Sequence, residues 1–187
     1  LRGGALEAAP VLSPLAPDLT LALGSSSVTL QELTTAYGAI ADGGVRHDPL
    51  TILSVKDRSG AVLEEHAPTS VEVLSRDSAH VLTSMLQTVV TDGTGWKVKE
   101  LGRPVAGKTG TTNDYVDAWF MGFTPDLVTG VWVGLDRRES LGWHETGSRA
   151  AIPIWLSYMT AAVEGRPVSA FPVPPGVVFA KPDPERG

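Results

Sequence analysis

Two apolar segments, Ala118 to Thr124 and Val128 to Leu135, carry aromatic and β-branched residues and flank Pro125-Asp126, a dipeptide suited to the centre of a tight turn. The pattern predicts a β-hairpin. Both segments are apolar at nearly every position rather than at alternate ones, which a strand covered on both faces requires. Pro104 to Gly110 then predicts a third, shorter strand beside them. Elsewhere the apolar residues recur at helical spacing. Leu30, Leu33, Tyr37 and Ile40 mark a first helix. Thr29 with Glu32 forms its capping box, Val28 with Leu33 suits a hydrophobic staple, and Gly43-Gly44 ends it. A second helix runs from Arg76 to Thr91 behind Ser75 as N-cap, with Ala79, Leu82, Met85, Leu86 and Val89 along one face and Gly93 as its stop. A third, Ala150 to Glu164, tolerates Pro153 in its first turn, buries Trp155, Leu156, Met159, Ala162 and Val163, and ends at Gly165.

The remaining stretches predict less regular structure. Leu50 to Val55 and Ala61 to Glu65 alternate loosely around Asp57-Arg58-Ser59-Gly60, which predicts a peripheral hairpin. Leu1 to Ser27 reads as irregular surface chain, Asp92 to Leu101 as a polar connection, and Ser140 to Arg149 as a loop. Ala170 to Gly187 carries repeated Pro and predicts an extended, loosely held conformation. Trp119, Trp132 and Trp155 are expected in the core. The sum is an α/β fold of the α+β type, an antiparallel sheet flanked by helices.

Composition narrows the function classes. The 187 residues are 42% hydrophobic and 19% charged, enough for one domain with a core. A net charge of −6 argues against nucleic acid as a partner, because phosphate binding needs clustered Lys and Arg. Lys97, Lys99 and Arg103 are too few to make such a patch. The chain has no Cys, so disulfides and thiolate metal sites are excluded. His47, His66, His80 and His144 show no metal-ligand spacing, and neither metal nor cofactor is expected.

Lys108-Thr109-Gly110-Thr111 is the candidate for chemistry, since core packing asks for neither a cation nor hydroxyls there. A bare Lys-Thr-Gly triplet arises by composition at roughly one position in several thousand, so its surroundings carry the weight. GKTGTTND, DAWFMGFTPDLVTGVWVG and ETGSRAAIPIW closely resemble the transpeptidase domain of class A (bifunctional) penicillin-binding proteins. SPLAPDLTLALGSSSVTLQELTTAYGAIADGG is similar to the stretch that follows the S-x-N motif in that family. The resemblance runs from about Ser13 to about Glu164. Two of the three family motifs are missing: no Ser is followed by Lys three residues later, and the single Asn, Asn113, does not complete S-x-N. In the family both lie N-terminal to such a segment. Residues 1–165 are therefore expected to be the C-terminal portion of a transpeptidase domain, incomplete at its N-terminal side, and 166–187 a Pro-rich extension.

The resemblance implies roles residue by residue. It implies a serine-type D-Ala-D-Ala transpeptidase that cross-links peptidoglycan stem peptides and is acylated by β-lactams. The Thr111 backbone N–H would serve the oxyanion. The hydroxyls of Thr109 and Thr111 would hold the donor's terminal carboxylate. Lys108 would supply positive potential. Gly110 would let the ligand backbone approach, and Thr112 would complete the substrate-binding set. The Ser nucleophile would come from the N-terminal remainder of the domain, at the extracytoplasmic face of a bacterial membrane, so this chain alone is expected to be inactive.

Two other readings stand beside this one. Lys108, Thr109 and Thr111 could be ordinary edge-strand residues of a non-catalytic binding or scaffold piece. Gly102-Arg-Pro-Val-Ala-Gly107-Lys108-Thr109 also fits the phosphate-loop pattern G-x-x-x-x-G-K-[ST], with Asp136 as a metal-binding strand end. That loop needs a buried strand before it and a helix directly after it. Neither is expected here.

Overall fold

The computed structural model describes residues 13–180. The chain enters through a 3-10 turn, Leu19–Leu23, capped by the Asp18 side chain, where the sequence suggests only irregular structure. Helix α1, Leu30–Ala41, opens on the expected capping box: the Thr29 hydroxyl accepts from the Glu32 N–H and the Glu32 carboxylate accepts from the Thr29 N–H. Strand β1, Val45–His47, follows, then the exposed hairpin of β2, Ser54–Lys56, and β3, Val62–Glu65, whose turn is closed by the Asp57 carboxylate. Strand β4, Ser70–Glu72, returns to pair antiparallel with β1.

Helix α2, Arg76–Thr91, begins at Ser75 as its sequence predicts. Its buried residues are Ala79, Thr83, Leu86 and Val90, whereas Met85, expected inside, is 63% exposed. The polar-looking stretch after it is a second 3-10 segment, Trp96–Leu101, which plants Val98 in the core. The central sheet then forms from β5, Ala106–Thr111, β6, Ala118–Thr124, and β7, Leu127–Val133, in the order β5-β6-β7. Thr124 pairs with Leu127 across the expected Pro125-Asp126 turn.

Strand β6 lies in the middle and is buried along nearly its whole length, so a run without alternation was needed there. Strand β7 is only half covered. Its Trp132 is 41% exposed, not core, and lies against the half-buried Trp119 with its Nε1 donating to Asp117. Helix α3, Ile152–Ala162, covers one face: Trp155 is fully buried, meets Phe120 edge-on at 5.2 Å and donates from Nε1 to the Thr129 carbonyl. On the other face Phe123 joins Ala106, Leu86, Tyr37 and Ile40.

Beyond α3 the chain is extended, as its prolines require, but it is anchored. Phe171 packs edge-on against Phe123, and His80 Nδ1 lies 2.9 Å from the Pro172 carbonyl. Residues 181–187 of the Pro-rich segment, like residues 1–12 of the N-terminal stretch, fall outside the described part. Two of the scattered cations serve helix ends, where carbonyls lack intrahelical partners. Lys99 donates to the Thr91 carbonyl and Arg103 to those of Val163, Arg166 and Pro167. Among the described residues no helix is long and apolar enough to cross a membrane.

Candidate active site

Strand β5 holds four of the sequence-derived site residues, Lys108, Thr109, Gly110 and Thr111, and Thr112 follows its end. It pairs with β6 on one side, and its other side has no strand partner among the described residues. In an antiparallel ladder residues alternate between bonding the neighbour strand and facing away from it. The Thr112 N–H donates to the Asp117 carbonyl, so Gly110, opposite Trp119, and Lys108, opposite Met121, turn their backbone groups towards β6. Thr109 and Thr111 therefore turn theirs towards the open edge. A Thr109 carbonyl and a Thr111 N–H pointing outward offer one acceptor and one donor to an extended chain.

The side chains are placed as deliberately. Lys108 is exposed, and its Nζ folds to 2.6 Å from the outward Thr109 carbonyl. The Thr109 hydroxyl lies 2.6 Å from that of Thr94, in the turn that follows α2. The Thr111 hydroxyl accepts from the buried Gly147 N–H at 3.1 Å. Gly110 is explained by packing: a Cβ there would sit 3.1 Å from Cβ of the cross-strand Trp119. Thr112 faces away from this row, since its hydroxyl accepts from the Asp117 N–H at 2.8 Å and closes the turn that contains the 3-10 segment Asn113–Tyr115.

The expected loop between Ser140 and Arg149 ends in a π-helical turn, Gly147–Ala151, so the third helix begins later than its apolar pattern suggests. Its first residue fits only as glycine: a Cβ on Gly147 would lie 2.3 Å from the Trp119 carbonyl oxygen and 2.7 Å from that of Gly110. The loop is tied to the end of β5 through Leu141 N–H to the Tyr115 carbonyl, and Trp143 and His144 gather around Tyr115. His144, without metal-ligand spacing in the sequence, lies in this aromatic cluster. Asp114, Tyr115 and His144 all have positive φ, which costs L-residues conformational energy and persists only where surroundings impose it. Thr94 and Gly147 are the partners that sequence reasoning passed over. No local pattern links position 94 to 109, although Gly147 lies within the ETGSRAAIPIW stretch that carries part of the resemblance.

The geometry bears on the phosphate-loop pattern. Lys108 and Thr109 lie inside a strand, and no helix begins behind them; the next segment is a single 3-10 turn with non-helical Asp114. A phosphate loop needs the N-terminus of a helix at that point. Among the described residues, no group of three or more His, Cys, Asp or Glu could hold a metal ion.

Comparison with known proteins identifies the family. The model of the penicillin-binding protein transpeptidase domain matches residues 16–152, which span both the capped helix α1 and the whole β5-β6-β7 sheet. This chain belongs to that family. A relative from Aquifex aeolicus, penicillin-binding protein 1A, is 47% identical over 164 residues, covering 88% of this chain and 23% of the relative. The crystal structure of penicillin-binding protein 1A from Haemophilus influenzae superposes with a TM-score of 0.81 at 28% identity, over 86% of this chain and 30% of that one. Penicillin-binding protein 3 from Mycobacterium tuberculosis, solved in complex with ampicillin, gives a TM-score of 0.60 at 29% identity over 82% of this chain and 39% of that one. The chain thus spans less than a quarter of the length of its Aquifex relative, and it carries the transpeptidase fold of an acyl-serine transferase family.

Proposed function

We propose that this chain forms the lysine-threonine-glycine side of a peptidoglycan D,D-transpeptidase site, and that β5 is the wall against which the donor stem peptide lies. The observation that carries the reading is the open edge of β5. It presents an outward acceptor at Thr109, an outward donor at Thr111, two hydroxyls and the Lys108 ammonium, all within four residues. An extended D-Ala-D-Ala terminus adds to such an edge by main-chain pairing, and its carboxylate meets Thr109, Thr111 and the positive potential of Lys108. The Thr111 N–H then polarises the carbonyl that a serine attacks. That serine and its lysine belong to an S-x-x-K motif this chain does not contain. The catalytic step therefore needs the segment that holds them, and this chain alone is inactive. Residues 1–165 act as the transpeptidase portion and 166–187 as an extension strapped to it at Phe171, at the extracytoplasmic face of the membrane. The ampicillin complex of the Mycobacterium relative supports β-lactams as ligands of this domain.

The test is covalent labelling with a fluorescent penicillin of the protein made from the complete reading frame, followed by intact mass. Lys108→Ala and Thr109→Ala should each reduce the labelling rate by at least about tenfold, the loss expected for removing a charge-assisted contact of about 1.5–3 kcal/mol. Labelling unchanged in both variants would overturn the assignment of β5.

A further inference from the structure

We infer that Thr94 is a positioning residue which, together with the Gly147 N–H, fixes the hydroxyls of Thr109 and Thr111 as a matched pair of outward donors for the ligand carboxylate. The inference rests on the reading of β5 given above and adds to it the two groups that act behind the strand.

The argument is one of donors and acceptors. A carboxylate has no proton and can only accept, whereas a threonine hydroxyl has one proton and two lone pairs. A hydroxyl that holds a carboxylate must spend its proton on it. The lone-pair side of that hydroxyl is then free to receive a donor from within the protein. For Thr111 that donor is visible, since the Gly147 N–H at 3.1 Å can do nothing but donate. For Thr109 the group at 2.6 Å is the hydroxyl of Thr94. By itself that pair is symmetric. With a carboxylate bound it is not: Thr109 gives its proton outward, so the bridging proton is the one on Thr94. Both strand hydroxyls are thereby held in the same sense, and a hydroxyl that accepts a hydrogen bond is polarised into a better donor.

Thr94 is held still enough to do this. Its turn closes through backbone alone, Gly95 N–H to the Val89 carbonyl at 3.0 Å and Trp96 N–H to that of Gly93 at 3.3 Å. The Thr94 hydroxyl is therefore not needed for closure and reaches instead across 15 positions of sequence to β5. A Cβ on Gly93 would lie 2.8 Å from the Val89 oxygen, so the turn sits flush against the end of α2. Gly147 is fixed as tightly by the strand carbonyls beneath it.

The experiment measures penicillin acylation over a range of concentrations on the protein from the complete reading frame, comparing wild type with Thr94→Val, Thr94→Ser, Thr109→Ala and Thr94→Val/Thr109→Ala. Thr94→Val should weaken apparent binding about five- to tenfold, the loss of one hydrogen bond, with the limiting acylation rate and the melting temperature held. Thr94→Ser should restore binding to within about twofold, and the double variant should bind no worse than Thr109→Ala alone. Against a penicillin whose carboxylate is esterified, Thr94→Val should cost nothing further. The proposal is overturned if Thr94→Val binds like wild type, if Ser does not rescue, or if the ester suffers the same loss. Thr109→Ala binding like wild type would instead sink the reading of β5 itself.

Discussion

Trp155 and Gly122 form a lock whose strength can be read from distances. A Cβ on Gly122 would lie 2.8 Å from both Cε2 and Cζ2 of Trp155 and 2.7 Å from Cε1 of Phe120. Trp155 and Phe120 are both fully buried, so nothing nearby gives way cheaply, and Gly122→Ala should cost about 1–3 kcal/mol by overpacking. Trp155→Phe removes the fused ring and the indole N–H. It leaves a hole and removes the second hydrogen bond of the Thr129 carbonyl, the one Nε1 now gives it at 3.0 Å, for a cost of about 2–4 kcal/mol. Independent losses would add to about 3–7 kcal/mol. They should not add, because the Cβ introduced at 122 enters the space vacated at 155. The double variant should cost about 3–5 kcal/mol, less than the sum but more than Trp155→Phe alone, since the 2.7 Å approach to Cε1 of Phe120 persists. Denaturant melts followed by far-UV circular dichroism give the three values; in heat melts each kcal/mol appears as about 2–4 °C in a domain of this size. A double variant that loses the full sum would refute the contact between the β6 backbone and the α3 indole as the fold's central joint.

Two further outcomes follow from the same packing. The Glu32 carboxyl is held down at about 2 by the Thr29 N–H first, then by the Ser13 and Thr29 hydroxyls. Its folded value lies below the ordinary 4.5, so its contribution is complete above that value and is lost as the pH falls towards 2. Protection of the first-turn amides of α1 against hydrogen exchange should decline through that window, and in Glu32→Gln it should be lower at neutral pH and flat with acid; an unchanged profile in the variant would contradict the capping box. Phe171→Ala removes the edge-on contact to Phe123 at 5.6 Å and should cost about 1–3 kcal/mol for this half-buried ring. It should also expose the segment after residue 166 to limited proteolysis, and resistance equal to wild type would show that the strap is held elsewhere.

The elements legible in the sequence were those fixed by local chemistry. Thr29 with Glu32, Ser75 before Arg76, and Pro125-Asp126 between two apolar runs each settle a boundary within a few residues. What the sequence hid was set at long range. β1 and β4 are three residues each and meet only because Val45 finds Glu72, a pairing no local signal announces. Thr83 is polar, yet it is buried because its hydroxyl bonds back to the Ala79 carbonyl; the buried stripe of α2 consequently runs through Val90 and leaves Met85 outside. Trp132 looked like core by bulk alone, but its indole N–H has a partner in Asp117 at the surface end of the sheet. At the candidate site, the motif singles out Lys108 to Thr111 but not Thr94 and Gly147, whose contacts with that strand exist only after the chain has folded.

That distinction separates a site from an ordinary edge strand. Threonine is a good strand former, and lysine on an open edge discourages unwanted pairing; those facts alone would place Lys108, Thr109 and Thr111 where they are. Packing likewise accounts for Gly110, under Trp119. Neither reason asks for anything behind the two hydroxyls. Yet each is in hydrogen-bond contact with a group from a different element, one from the turn after α2 and one from the turn before α3, and the second is built on a glycine that admits no side chain. A scaffold strand would keep its function with Val at 109 and 111, since Val has the shape and the strand preference of Thr without its proton. A strand that holds a carboxylate would not, and the difference would appear in binding rather than in the melting temperature.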